Sequence, residues 1–286
     1  MQLSAKRTWF TALAVSTMLA GSAVTASAAE SPGGYVALGD SAAAGPLILP
    51  ADTSSLGCLR SLADYPHVVA KQTGAALTDV TCSSATTADF TGRQQTFTGP
   101  VAPQLDAVDT RAKTVTLTIG ANDVGLVSAV LTCLNPLPGV IPSCANRFTA
   151  GGHDQLAEKI DAFAPKWGEL LDQIAARAPE ADVYVVGYGT YLPHNGCWPI
   201  VPLSAKDANY VQGTIGHLDE ALAGQAQAHG AKFLDIRPVS VGHDACRPPS
   251  SKWFEGLIPT AIAAPLHPNK AGMAGIGTYL ATTITT

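Results

Sequence analysis

The sequence predicts an α/β fold in which a five-stranded parallel sheet carries helices on both faces. Three observations lead there. Short β-branched runs alternate with longer amphipathic segments, the pattern of strands joined by crossover helices. No internal repeat, charge block or polar linker divides the 286 residues. With 47% hydrophobic and 14% charged residues, the chain is too apolar for disorder and long enough to bury one sizeable core.

The expected strands are Tyr35 to Leu38, Leu77 to Thr81, Thr114 to Ile119, Val183 to Val186 and Phe233 to Ile236. Between the third and fourth, Leu156, Ile160, Phe163, Trp167, Leu171 and Ile174 recur every three to four residues and so share one helix face, with Pro165 expected to bend or divide that helix. Between the fourth and fifth, Val211, Ile215, Leu218 and Leu222 form a second stripe, with Ser204 to Asp207 placed to cap it. Two loops stand out: Gly45 to Pro50 is strongly apolar, and Thr132 to Gly152 is long and Pro-containing.

The first 29 residues have the layout of a secretory signal peptide. Lys6 and Arg7 precede an apolar stretch from Trp9 to Ala20, and small residues follow through Ala26-Ser27-Ala28-Ala29. Cleavage after Ala28 or Ala29 fits equally well, and the apolar stretch is shorter than a bilayer span. The expected organisation is a signal peptide over 1–29 and one catalytic domain over 30–286, giving a secreted monomer without a stable membrane anchor. That mature part carries 15 basic against 22 acidic residues, a balance that argues against a nucleic-acid partner.

All six cysteines fall in the expected mature part, and an even count in an exported chain points to three disulfides. Fifteen pairings are possible. The cysteines fall into consecutive couples, and one couple brackets the Pro-containing loop, so the expected bridges are Cys58–Cys82, Cys133–Cys144 and Cys197–Cys246. No C-x-x-C or H-x-x-x-H spacing appears, and neither a metal nor another cofactor is expected.

Three short segments could carry chemistry. The strand Tyr35 to Leu38 runs into Gly39-Asp40-Ser41, which puts Ser41 at the carboxyl end of a strand and near a helix N-terminus, where ligands and developing negative charge are favoured. The same tripeptide also suits an ordinary helix cap. After the third strand, Gly120-Ala121-Asn122-Asp123 offers a side-chain amide able to donate to an oxyanion, although an Asn-Asp turn would look the same. Near the C-terminus, His267-Pro268 interrupts an apolar stretch. The other six histidines stand outside any motif and are expected at the surface or in packing.

Taken in this order, the three segments closely resemble the blocks of the SGNH hydrolases, also called GDSL lipases and esterases, and in particular their secreted actinobacterial lipase-like branch. The resemblance spans nearly the whole mature chain. It implies a three-layer α/β/α sandwich and hydrolysis of carboxylic esters, with Ser41 as nucleophile and His267 as general base. It also implies an oxyanion hole formed by the Ser41 N–H, the Asn122 side-chain amide and a third backbone N–H.

The chain departs from the family pattern at two positions. The third donor usually comes from a glycine, and the matching segment Thr81 to Thr87 has Ser84 there, so Ser84 is carried over as that donor. The Asp commonly found three residues before the catalytic His is replaced by Ala264. The imidazole still needs a partner at Nδ1, and some members of the branch use a main-chain carbonyl, so the Ala264 carbonyl is the leading candidate and Asp244 the runner-up. Asp40 neighbours the nucleophile, but adjacent residues of an extended strand point to opposite faces, and a role in the turn is expected.

The apolar run Trp253 to Leu266, with Leu47 to Leu49, is expected to wall an acyl-chain groove beside Ser41. Only 6% of residues are aromatic, which favours a lipid or other acyl ester over a sugar acetate. A carbohydrate or small-ester deacetylase of the same fold and a non-catalytic secreted binding protein are the alternatives.

Overall fold

The computed structural model describes residues 34–137 and 140–285. The expected signal peptide, 1–29, lies outside them. The five sheet strands are β1 (Gly34–Gly39), β2 (Leu77–Asp79), β5 (Ala112–Thr118), β6 (Asp182–Val186) and β7 (Lys232–Leu234); β3 (Gln94–Thr96) and β4 (Gly99–Val101) pair separately as a small antiparallel ribbon. The sheet order is β2-β1-β5-β6-β7, and every neighbouring pair is parallel.

Alternation along the strands sorts the core into two halves. Val36 and Leu38 of β1, Val115 and Leu117 of β5 and Val183 and Val185 of β6 face one side. There they meet α5 (Gln155–Arg177) and α6 (Ala205–Ala228) through Trp167, Leu171, Ile174, Leu218 and Leu222. Tyr35, Ala37, Tyr184 and Val186 face the other side, against Tyr65 and Val69 of α2 (Tyr65–Thr73) and Met273, Ile276 and Leu280 of α8 (Lys270–Thr285). The result is an α/β/α sandwich with an apolar layer on each face of the sheet. Short helices fill the connections: α1 (Ser41–Ala44), α3 (Leu126–Thr132), α4 (Cys144–Phe148) and α7 (Arg237–Ser240).

The predicted strands appear in order, with three endings trimmed, that of β5 by one residue to Thr118. β2 stops at Asp79 because its Oδ1 accepts the N–H and hydroxyl of Thr81, turning the chain off the sheet. β7 stops at Leu234, where the Asp235 carboxylate takes the Arg237 N–H and starts α7. The helix predicted to bend or divide at Pro165 runs as one element with that proline inside it. Ser204 caps α6 by accepting the Asp207 N–H. Disulfides join Cys58 to Cys82, Cys133 to Cys144 and Cys197 to Cys246. Among the described residues no helix is long and apolar enough to cross a membrane.

Candidate active site

The site is assembled where β1, β5 and β6 end, the crevice in which ligands of open parallel sheets bind. β1 enters it through Gly39, whose φ of 142° and tight approach to β5 need the absence of a side chain: a Cβ there would lie 2.4 Å from the Thr118 carbonyl oxygen. The Gln104 amide brackets the same residue, accepting from Gly39 N at 2.8 Å and donating to Gly39 O at 2.9 Å. Asp40 then donates its N–H to Thr118 O, and Ser41 begins α1.

Asp40 is fully buried and caps α1 by accepting the Ala42 N–H at 2.8 Å. Its other oxygen accepts the Tyr188 hydroxyl at 2.6 Å, and that hydroxyl accepts the Ala121 N–H at 3.0 Å. One carboxylate and one phenol thereby knit the ends of three sheet strands together. Burial pushes the Asp40 carboxyl up to about 7, against the opposing pull of the Tyr188 hydrogen bond. Burial and the neighbouring Asp40 also push the Tyr188 phenol well above its ordinary range.

His267 completes the pair. Its Nε2 lies 2.7 Å from Ser41 Oγ, and its Nδ1 lies 2.7 Å from the Pro265 carbonyl oxygen. A carbonyl can only accept, so the proton sits on Nδ1, Nε2 keeps its lone pair and Ser41 donates to it. Burial lowers the His267 pKa below the ordinary imidazole value, with the Pro265 hydrogen bond opposing that shift.

The orienting carbonyl is thus that of Pro265, two residues back, and not that of Ala264. Leu266 has φ 61°, in the left-handed region, and this bend folds the Pro265 carbonyl over the ring. Ala264 is directed elsewhere, donating its N–H to Pro46 O. Asp244 is also engaged elsewhere, accepting from Cys246 N and Arg247 Nε.

The loop bearing His267 is fastened from behind. Glu255 N donates to His267 O, Leu266 N to Gly256 O and Asn269 N to Trp253 O. Beneath it the buried Glu255 carboxylate accepts from Asn269 Nδ2 at 2.7 Å and from the N–H and hydroxyl of Thr260, with buried Lys252 Nζ at 4.0 Å.

Asn122 lines the same cleft as Ser41 and His267. One N–H of its amide donates to Ala85 O at 2.9 Å, and its second N–H is the one available to a ligand. Asp123 anchors the turn, accepting from Thr87 N and Oγ1 and from Trp167 Nε1. Ser84, next to Ala85, adopts φ 69°, the conformation a glycine would take without strain. Its neighbours' amides are engaged, Ser83 N by Cys58 O and Ala85 N by Cys82 O. The sequence reading missed Tyr188, Gln104, Glu255 and the role of Pro265. Tyr188 and Gln104 bond to Asp40 and Gly39, remote in the chain, whereas Pro265 lies two residues from His267 and Glu255 bonds to Thr260 and Asn269, and no local motif marks any of the four.

From the Ser41–His267 pair a cleft runs inward. Its walls are apolar: Leu126 and Val130 of α3, Val211 and Ile215 of α6, and Val201 and Leu203 of the connection between β6 and α6. This corrects the expected groove. Of the run Trp253 to Leu266, only Glu255 and Leu266 reach the cleft. Phe254 and Ile48 are instead buried in the core half that holds α2 and α8, and Leu47 and Leu49 are exposed to solvent.

A sequence model of the GDSL-like Lipase/Acylhydrolase family matches residues 37–274. Lipase 2 of Streptomyces coelicolor is 42% identical over 247 residues, covering 83% of this chain and 81% of the relative. Among solved structures, phospholipase A1 from Streptomyces albidoflavus NA297 superposes with a TM-score of 0.71 at 26% identity, over 89% of this chain and 100% of the other. The extracellular lipase of Streptomyces rimosus gives 0.68 at 25% identity, again over 89% and 100%. By family match, by relative and by fold, the chain belongs to the GDSL-like lipase/acylhydrolase family.

Proposed function

We propose that this chain is a secreted ester hydrolase that forms an acyl-enzyme on Ser41 and takes its acyl groups from lipid or other medium- to long-chain esters. The observation carrying this reading is the 2.7 Å contact between Ser41 Oγ and His267 Nε2 at the mouth of an apolar cleft.

Ser41 Oγ attacks the ester carbonyl carbon while His267 Nε2 takes its proton. The ring becomes cationic, and the Pro265 carbonyl at Nδ1 holds its orientation through a dipole without adding a charge. Charge gathers on the former carbonyl oxygen, which the N–H groups of Ser41 and Ser84 and the second N–H of Asn122 receive. Collapse expels the alcohol with the proton from Nε2. Water then attacks the Ser41 ester with His267 again as base, releasing the acid and restoring the hydroxyl.

The cleft between α3 and α6 offers an acyl chain an apolar path, and the names of the similar Streptomyces proteins, lipase and phospholipase A1, support lipid esters. Export through a signal peptide over 1–29 fits the three disulfides and the likeness to an extracellular lipase.

Hydrolysis of p-nitrophenyl esters of increasing acyl length tests the reading. The expected result is a kcat/KM that rises from acetate into longer acyl chains and vanishes in Ser41→Ala. A preference for acetate would point to a deacetylase, and a folded but inert wild-type protein would point to a non-catalytic binding protein.

A further inference from the structure

Away from the Ser41 cleft, Asp64, His67 and Asp79 converge where α2 starts and β2 ends. One potential ligand atom from each lies within 4.8 Å of the others. Asp64 caps α2 through Oδ1, which accepts the His67 N–H at 3.0 Å and lies 2.7 Å from His67 Nδ1. That Nδ1 is also 3.6 Å from Asp79 Oδ2. The Asp64 side chain is 0% exposed and that of Asp79 6%, while the imidazole, at 30%, opens a path to solvent.

Each carboxylate keeps one oxygen without a donor. Asp64 Oδ2 and Asp79 Oδ2 are buried and have no hydrogen-bond partner among the described residues. A carboxylate oxygen buried in this way is costly unless a cation or a proton joins it. Arg60 reaches the cluster only at its rim. Its guanidinium binds Asp52 and Thr81 O, and its nearest approach to Asp79, 4.0 Å, is to Oδ1, which already accepts from Thr81. Two converging carboxylates beside one imidazole nitrogen form a donor set for a borderline divalent ion such as Zn²⁺, whose catalytic sites mix His nitrogen with carboxylate oxygen. Ca²⁺ fits worse because it takes six to eight oxygen ligands.

We propose that Asp64, His67 and Asp79 bind one divalent transition-metal cation, with Zn²⁺ as the probe, as a clasp fastening edge strand β2 to the first turn of α2. The site lies under the turn that follows the nucleophile: a Cβ on Gly45 would sit 3.4 Å from Asp64 Cβ. It supplies no group to the Ser41–His267 pair, so its expected effect is on stability. No metal-ligand spacing is visible in the sequence because the ligands come from two elements joined only by folding.

The test uses the full chain, free of any histidine tag and stripped with chelator, titrated calorimetrically with ZnCl2. Saturation at one equivalent and a Tm that rises with free Zn²⁺ are expected. His67→Gln leaves the Asp64 cap in place and should weaken binding by more than about tenfold, a loss that even an outer ligand partner commonly brings. X-ray absorption at the zinc edge of the wild-type complex should show a mixed imidazole and carboxylate shell, and this readout decides the matter if the variant does not fold. Absence of saturable binding, an unchanged affinity in folded His67→Gln, or a shell without nitrogen would overturn the proposal.

Discussion

Ser41 and His267 meet at 2.7 Å, yet different kinds of structure hold them. Ser41 stands where a sheet strand ends, with Gly39 held between Thr118 and Gln104 and Asp40 tied through Tyr188 to Ala121. His267 stands on an irregular segment between an isolated bridge at Phe254 and the start of α8. It is held by backbone hydrogen bonds and by the buried Glu255–Asn269–Lys252 group. The end of a sheet strand places the Ser41 oxygen with the help of side chains distant in sequence, Gln104 and Tyr188. A loop can place an imidazole only by fastening its own backbone, and here it also takes the orienting group for Nδ1 from that backbone.

The largest test of this contrast removes the base. In His267→Ala the fold should persist, because the loop is held by main-chain bonds and by Glu255, and kcat/KM should fall by about 10⁴-fold or more. Coincident wild-type and variant unfolding curves would separate lost chemistry from a lost loop. With His267 as the proposed base, the neutral ring is the form that takes the proton, and burial lowers its pKa. Activity should therefore be lost, as pH falls, only below the ordinary imidazole value of about 6.5.

On the nucleophile side, Asn122→Ala should lower kcat by roughly 10²–10³-fold with little change in KM, the usual loss for one oxyanion donor. An equal rise in KM would mean that Asn122 serves mainly to hold Ala85.

Asp40 tests the buried network behind Ser41. Its folded-state pKa of about 7 stands above the ordinary aspartate value of 3.8, so across that window the folded protein holds a proton that the unfolded chain has released. Wild-type stability should fall as pH rises through this window, and Asp40→Asn should remove that part of the slope, worth up to about 4 kcal/mol. Urea titrations at a series of pH values, wild type against variant, measure it. Parallel curves would show that Asp40 is ionised throughout.

The smallest effect is expected at Ser84. A non-glycine residue at φ 69° carries strain of about 1 kcal/mol, which Ser84→Gly relieves while the unfolded chain gains freedom. Tm should move by only a few degrees, and kcat should stay near wild type because a backbone N–H remains. A large loss of activity would mean that the Ser84 hydroxyl matters.

The contrast between the two sides also explains what could be read from the sequence. The five strands, both long helices and the position of Ser41 were legible because each follows from a local pattern: β-branched runs, a stripe at 3.6 residues, a strand running into Gly39-Asp40-Ser41. The ribbon of β3 and β4 was missed because Gln94 to Val101 alternates too weakly to announce strands. The partner of His267 was placed one residue early, at Ala264, because nothing in Pro265-Leu266-His267 signals the left-handed φ of a leucine. The cleft walls were misassigned for a related reason: apolar character marks burial, and only tertiary packing decides which buried surface faces the cleft.

The central claim is that the Ser41 hydroxyl is made nucleophilic by the ring that accepts its proton. Labelling of the full chain by a fluorophosphonate, read by intact mass and peptide mapping, tests it most directly. One adduct located on Ser41, formed far more slowly in His267→Ala and absent in Ser41→Ala, is the expected result. Folded wild-type protein that stays unlabelled, or that carries its adduct on another residue, would contradict the account.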